Sequence, residues 1–392
     1  MNIAYVVRNG FFPAFNGERV KSAALATALA SSGELTLIDL GRSDYPGNRY
    51  PDGVRLKLPY GGEATVHSML TEGHRSNYER AEHAATSGDS VRLSRMPLLR
   101  RRAAAELLSQ LCPDVVVVDH PQLATLALAA PARCRVVHAH NVESKLARSL
   151  AESSGSLRHR LRAWRLQRIE HRQLPRLDQV WAVSAADAEF FRSGGCGKVE
   201  VLPNIIPPSA FMTSAVPGTP GHAAFFGWLA YPPNVDAVRY LIGLVSRLPA
   251  IRSLSLVGRD LPNDLVEALR GHPKIRYLGY VQDLKSAVAD AAVILAPLAS
   301  GAGTKLKVIE ALALGKPLVT TSIGAEGLNL VDGEHVRIAS LGEAFDAAAE
   351  QLLGAPTQGL AMAERGRRHV AAHFSIDTLT VAARAALAAY SA

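Results

Sequence analysis

Cysteine is scarce: Cys112, Cys134 and Cys196 are an odd number with no Cys-x-x-Cys spacing. A disulfide framework and a zinc site are excluded on that basis, and a reducing cytoplasm is the simplest home. Any one thiol read as a nucleophile competes with its commoner role as a small buried hydrophobe. No apolar run approaches the ~20 residues needed to cross a bilayer. There is no G-x-x-x-x-G-K-[ST] run and no G-x-G-x-x-G after a strand, so the P-loop and the dinucleotide fingerprint are both missing. Short-period repeats and low-complexity tails are missing too.

What is present is the composition of a globular protein, 48% hydrophobic and 20% charged, in a chain of 392 residues that suits two domains. The opening Met-Asn-Ile-Ala-Tyr-Val-Val-Arg8 reads as a β-strand, since a signal peptide would place its positive charge before a longer apolar core. Continuous β-branched runs at Asn2–Val7, Leu35–Leu40, Asp114–Val118, Arg135–Ala139 and Gln179–Val183 predict parallel strands covered on both sides, with a helix from about Arg19. Residues 42–75, rich in Gly, Pro, Tyr and Ser, read as an irregular excursion.

Around 203–221 prolines and glycines crowd together as in a linker. A second α/β series follows: Ala223–Phe226, Leu254–Val257, Ile275–Leu278, Val293–Ala296 and Leu318–Thr321. The expected organisation is an N-terminal Rossmann-like acceptor domain (1–205), a linker (206–221) and a C-terminal Rossmann-like donor domain (222–375). A last helix (376–392) is expected to pack back toward the first domain. Two such halves predict a cleft at the carboxyl ends of both sheets, where ligands bind in this architecture.

The segment from Pro297 to Thr321 carries the strongest chemical signal. A strand ends at Pro297, a Gly-rich turn follows, Thr304 is a natural N-cap, and the pattern predicts a helix to Gly315. The first turn of such a helix presents N–H groups that favour an anion. Lys305 and Lys307 add two cations in a chain whose basic residues are mostly arginine. Glu310, about two turns in, suits a ribose diol, because a carboxylate accepts two hydroxyl protons. Phosphate grip followed by a diol-binding acid is the layout of a nucleotide-sugar site. The other reading is a helix with a few exposed charges.

This segment resembles the donor-binding motif of retaining GT-B glycosyltransferases of the GT4, or group 1, type. The resemblance implies an α/β GT-B fold, two Rossmann-like domains facing across a cleft, and places Glu310 as the ribose ligand. The family's first glutamate would fall at 302, where this chain has Ala302. Sugar contacts would then rest on the backbone of the Gly301–Thr304 turn, with Gly303 and Thr304 in the donor site. Gly227-Trp-Leu-Ala-Tyr-Pro-Pro-Asn234 resembles the opening of the family's second domain, but lacks the phosphate-binding Arg and Lys that many members carry there. Lys305, Lys307 and Arg259 are the candidates to supply that charge, and Lys307 is assigned a catalytic role. Gly279-Tyr-Val-Gln-Asp283 resembles the turn that meets the nucleobase through its backbone, which puts Val281 in the site. Val183–Asp187 and Val201–Asn204 match stretches that close the first domain.

In the first half, Phe11–Val20 resembles the family's glycine loop, in which Gly17 lets the backbone approach the donor phosphates and the acceptor, an ordinary turn glycine being the plain alternative. His138-Ala-His140 follows a strand. By resemblance His140 contacts the donor sugar, with His138 as rival and a satisfied core histidine as the plain alternative.

The net charge of +8 sits mostly in residues 145–176, which hold nine basic residues against Glu152 and Glu170. Leu157, Leu161, Trp164 and Ile169 recur at near-helical spacing there. The favoured reading packs that stripe into the core; the other lays a basic amphipathic helix on an anionic membrane. Nucleic acid is disfavoured, since the segment lacks interleaved aromatics for stacking.

The resemblance therefore implies a hexosyltransferase moving sugar from a UDP- or GDP-sugar to an acceptor hydroxyl with retention, in polysaccharide, glycolipid or natural-product synthesis. The expected acceptor is a sugar, a lipid-linked molecule or a small molecule, and the expected setting is cytoplasmic, with peripheral contact at the inner face of a membrane as a further expectation. No Asp-x-Asp metal cluster lies near the site, and the resemblance requires neither metal nor other cofactor. An epimerase on the same fold and a non-catalytic partner protein are the rivals.

Overall fold

The computed structural model describes residues 1–8, 17–40, 53–69, 98–301 and 305–390. They form two compact units, Met1–Ile205 with Ile376–Ala392, and Ile206–Ser375.

In the first unit, apolar runs without polar breaks become strands buried on both faces. Val115–Asp119 is buried at every position, and Asn2–Val7 at all but its first. The strands are β1 (Asn2–Val7), β2 (Glu34–Asp39), β3 (Val54–Lys57), β4 (Glu63–Ser68), β5 (Val115–Asp119), β6 (Cys134–Ala139), β7 (Gln179–Ala182) and β8 (Val199–Val201). They pair in the order β3-β4-β2-β1-β5-β6-β7-β8, parallel except for β3 against β4. The register sets Tyr5 between Leu37 and Val117. The predicted excursion over 42–75 is corrected within its described part: residues 53–69 contain β3 and β4, joined through left-handed Gly61 and Gly62.

Helix Ile376–Leu387 belongs to the first unit. Leu379, Ala383, Ala386 and Leu387 enter its core beside Ala24, Leu25 and Ala28. Gln179 Nε2 and Lys198 Nζ donate to the Ala386 carbonyl.

The second unit contains β9 (Thr219–Phe226), β10 (Ser253–Val257), β11 (Ile275–Gly279), β12 (Ala291–Ala296), β13 (Leu318–Thr320) and β14 (Arg337–Ile338). All pair in parallel in the order β11-β10-β9-β12-β13-β14. Residues 206–218, of linker composition, lie along this unit. Ile206 is buried with its N–H on the Phe374 carbonyl, and the Met212 N–H donates to Ala313. The chain order reverses direction between β9 and β12, and between β1 and β5 in the first unit. Ligands bind beyond the carboxyl ends of strands at such points.

Candidate active site

Two glycines shape the β9 end of the second unit. Gly227 and Gly258 follow β9 and β10 with φ of +147° and +145°. A Cβ on Gly258 would run into the Gly227 carbonyl oxygen, and a Cβ on Gly227 would meet Asn234 Nδ2 and Lys307 Nζ. Only glycine allows both turns. We expect Gly258→Ala to lose about 1–3 kcal/mol from backbone strain alone. Denaturant unfolding of the purified chain measures it, and an unchanged midpoint would refute the close approach.

Asn234, buried at 3% exposure on helix Pro232–Arg247, fastens this turn to the next element. Its Nδ2 donates to the Trp228 carbonyl at 2.6 Å, and its Oδ1 accepts from Lys307 Nζ. The Lys307 ammonium also lies 4.5 Å from the Phe225 ring centroid. Lys307 thus spans the switch point, from the helix after β12 to the helix after β9. Burial pushes its pKa down to about 7, with Glu310 pulling the other way. Burial also raises the Glu310 carboxyl, partly offset by Lys307. Among the described residues, none donates a hydrogen bond to the Glu310 carboxylate.

Lys305 is buried and faces the Glu326 carboxylate at 3.4 Å, so its charge is partly answered within the protein. The helix is Leu306–Ala313 with Lys305 in the N-cap position, which corrects the predicted cap at Thr304 and the extension to Gly315. Gly315 instead takes a left-handed turn at φ +63° just beyond the helix. Gly303 and Thr304, with Ala302, lie outside the described residues.

Arg259 is exposed after β10, with its Nε 3.6 Å from Asp260. Asp260 also accepts from the Trp228 indole at 3.0 Å. Val281 follows β11, partly buried against the cluster that holds Val257 and Val308. Arg259, Val281, Lys305, Lys307 and Glu310 therefore all follow the carboxyl ends of β10, β11 or β12.

In the first unit, Gly17 opens helix Gly17–Ala30, and the loop before it lies outside the described residues. His140 is buried just after β6, its Nε2 2.5 Å from Asp119 Oδ1. His138, the rival, contacts the same oxygen through Nδ1 at 3.3 Å. Ser22 Oγ donates to Asp119 Oδ2 at 2.6 Å. Burial alone would raise the Asp119 carboxyl, yet His140, His138 and their hydrogen bonds hold it well below the usual range. Burial depresses His140 to about 3 against the pull of Asp119, so the imidazole is neutral near pH 7 and Nδ1 is left as its acceptor nitrogen.

Asp119, His120 and His140 bring potential metal-ligand atoms within 4.8 Å of one another. Both Asp119 oxygens are already engaged by Ser22 and the two histidines, which makes this a hydrogen-bonded cluster around a buried carboxylate. His120, at φ +96°, carries the strained backbone that recurs at functional sites. Asp119 and Asn234 were not singled out from the sequence. The first ends a Val-Val-Val-Val-Asp strand and the second sits one turn past a Gly-Trp turn, and those positions were the available signals.

Residues 221–355 match the family model described as glycosyl transferases group 1, and residues 61–210 match that of glycosyltransferase family 4. Sucrose-phosphate synthase from Thermosynechococcus elongatus is similar in structure, with TM-score 0.71, 15% identity and 97% of each chain covered. Anabaena HepE, solved with UDP and glucose, matches at TM-score 0.67 and 14% identity over 99% of this chain and 100% of its own. WaaG, described as a glycosyltransferase of lipopolysaccharide biosynthesis, matches at TM-score 0.64 and 16% identity over 97% and 99%. These structures share the GT-B fold. No curated protein sequence matches this chain.

Proposed function

Because the chain belongs to the GT4-like glycosyltransferases of GT-B fold, we propose that it moves a hexosyl unit from a UDP- or GDP-sugar to an acceptor hydroxyl with retention. The observation that carries this reading is Lys307, held at the β9/β12 switch point by Asn234 and one helical turn before Glu310, to whose carboxylate no described residue donates a hydrogen bond. A cation followed by a diol acceptor fits a nucleoside diphosphate. Glu310 takes the ribose hydroxyls, and Lys307, with Lys305 and Arg259 in support, takes the diphosphate. The turn of Gly303 and Thr304 and the backbone at Val281 complete the donor site. The first unit takes the acceptor; Gly17 is assigned to the donor phosphates and the acceptor, and His140, with Nδ1 to offer a hydroxyl, to the donor sugar. As the bond from the anomeric carbon to the diphosphate oxygen breaks, the acceptor oxygen bonds that carbon and its proton passes to the departing phosphate. The positive charge near that phosphate lowers the barrier.

No metal or other cofactor is needed in this scheme. Among the described residues no helix is long and apolar enough to cross a membrane. Cytoplasmic work beside a membrane, on a lipid-linked or sugar acceptor of envelope polysaccharide or glycolipid, is part of the same proposal.

A thermal-shift series with UDP, GDP, TDP and ADP tests the donor, since a ligand of the native state raises its melting point. We expect UDP or GDP to stabilise, and nucleoside diphosphate to be released from the matching sugar donor only with acceptor present. Interconversion of the donor without release would identify an epimerase. Binding without either reaction would identify a non-catalytic partner.

A further inference from the structure

The sequence leaves open which way the arginine-rich helix turns, and the structure answers it. Helices Glu143–Ser154 and Leu157–Arg172 fold against each other through left-handed Gly155. The side of the second helix facing the protein carries one alanine, one leucine and one glutamate: Ala163, Leu166 and Glu170 are buried. Ala163 and Leu166 cluster with Ala147, while Glu170 accepts from the Ser144 N–H and hydroxyl. The predicted core packing of Leu157, Leu161 and Trp164 is therefore corrected. They are 76%, 48% and 51% exposed, while Ile169 is partly buried.

The three follow one another at spacings of four and three, so they form one outward line, and Arg168 continues it one turn on. Scattered exposed hydrophobes need no explanation, but a contiguous line does. The Arg168 guanidinium lies 4.8 Å from the Trp164 ring centroid. By helical angle, Arg160 flanks the line on one side and Arg158, Arg165 and Arg172 on the other, all exposed. The one acid in this helix, Glu170, is on the buried side.

We propose that this face is a docking surface for an anionic lipid bilayer, with the helix lying in the plane of the interface. Leu157, Leu161 and Trp164 enter the boundary of the acyl chains, while the flanking arginines reach back to lipid phosphates. Stacking an apolar layer beneath a negative one is what a bilayer surface provides. A nucleic acid supplies the negative layer but nothing for Leu157 and Leu161. The proposal deepens the peripheral-enzyme part of the function above, and its readout is binding, so it stands or falls separately from transfer activity.

The test is co-sedimentation of the full chain with vesicles of phosphatidylcholine alone or with about a third phosphatidylglycerol. We expect pelleting with the anionic vesicles that weakens in high salt, and little with the neutral ones. The triple variants Arg158→Glu/Arg165→Glu/Arg172→Glu and Leu157→Ser/Leu161→Ser/Trp164→Ser should each bind about a hundredfold more weakly or worse. They should keep the wild-type melting temperature, because the altered side chains are exposed. Tryptophan emission should shift to the blue on binding, and Trp164→Phe should remove most of that shift. Equal binding to neutral vesicles, no binding, undiminished binding by either triple variant, or a shift that survives Trp164→Phe would each overturn the proposal.

Discussion

Glu310→Gln is expected to weaken nucleoside diphosphate binding by roughly ten- to a hundredfold with the fold intact. The glutamate stands on the second turn of helix Leu306–Ala313, where burial works against its charge and no described residue donates to it. A desolvated carboxylate with no described donor is poised for hydroxyl donors, and charged hydrogen bonds are worth about 1.5–3 kcal/mol. Glutamine preserves the shape but offers one carbonyl in place of two anionic oxygens. Because the partner is the ribose, the loss should appear with the nucleoside alone as well as with the diphosphate. Replacing a partly buried ionised group should leave the melting temperature equal or higher. Isothermal calorimetry with UDP, GDP and their nucleosides decides the matter. Affinities unchanged from wild type would remove Glu310 from the nucleotide site.

The strands were legible because continuous apolar runs such as Val115–Val118 can satisfy burial on two faces in few other ways. The β3–β4 hairpin was hidden because Val54 and Leu56 alternate with exposed Arg55 and Lys57, a weak edge pattern inside a Gly- and Tyr-rich stretch. Periodicity also marked the apolar line of helix Leu157–Arg172, but a period identifies a face without saying what covers it. The protein side is built from Ala147, Ala163, Leu166 and a hydrogen-bonded glutamate instead. Lys305, Lys307 and Glu310 could be read as candidates from local order. Asp119 and Asn234 carried only positional signals, a strand end and a helix start, and two of their partners, Ser22 and Lys307, lie 97 and 73 residues away.

Lys307→Met tests the chemistry of the site. Methionine keeps much of the packing against Phe225 and removes only the ammonium. The diphosphate gains negative charge as the glycosidic bond breaks, so a cation there favours the transition state over the ground state. We expect kcat to fall by about a hundredfold, ~2.7 kcal/mol, while donor KM moves only several-fold. Lys305→Met should cost less, because Glu326 already answers that charge. The pH dependence supplies an independent sign. With the Lys307 pKa lowered to about 7, raising the pH above 7 in the free enzyme empties the site of its cation, so kcat/KM should fall on the alkaline side. The Lys307→Met variant should lose that limb. Stability should move the other way. The unfolded chain, with an ordinary lysine, binds more protons than the native one between pH 7 and its usual pKa of about 10.4. Wild-type stability therefore rises across that window, and is lowest below it, where a half-buried ammonium must be kept charged. Removing the amine should raise the melting temperature near pH 7 while turnover collapses, the opposition expected of a residue kept for function. A variant that melts higher and still turns over at the wild-type rate would make Lys307 a tether for the Asn234 turn and nothing more.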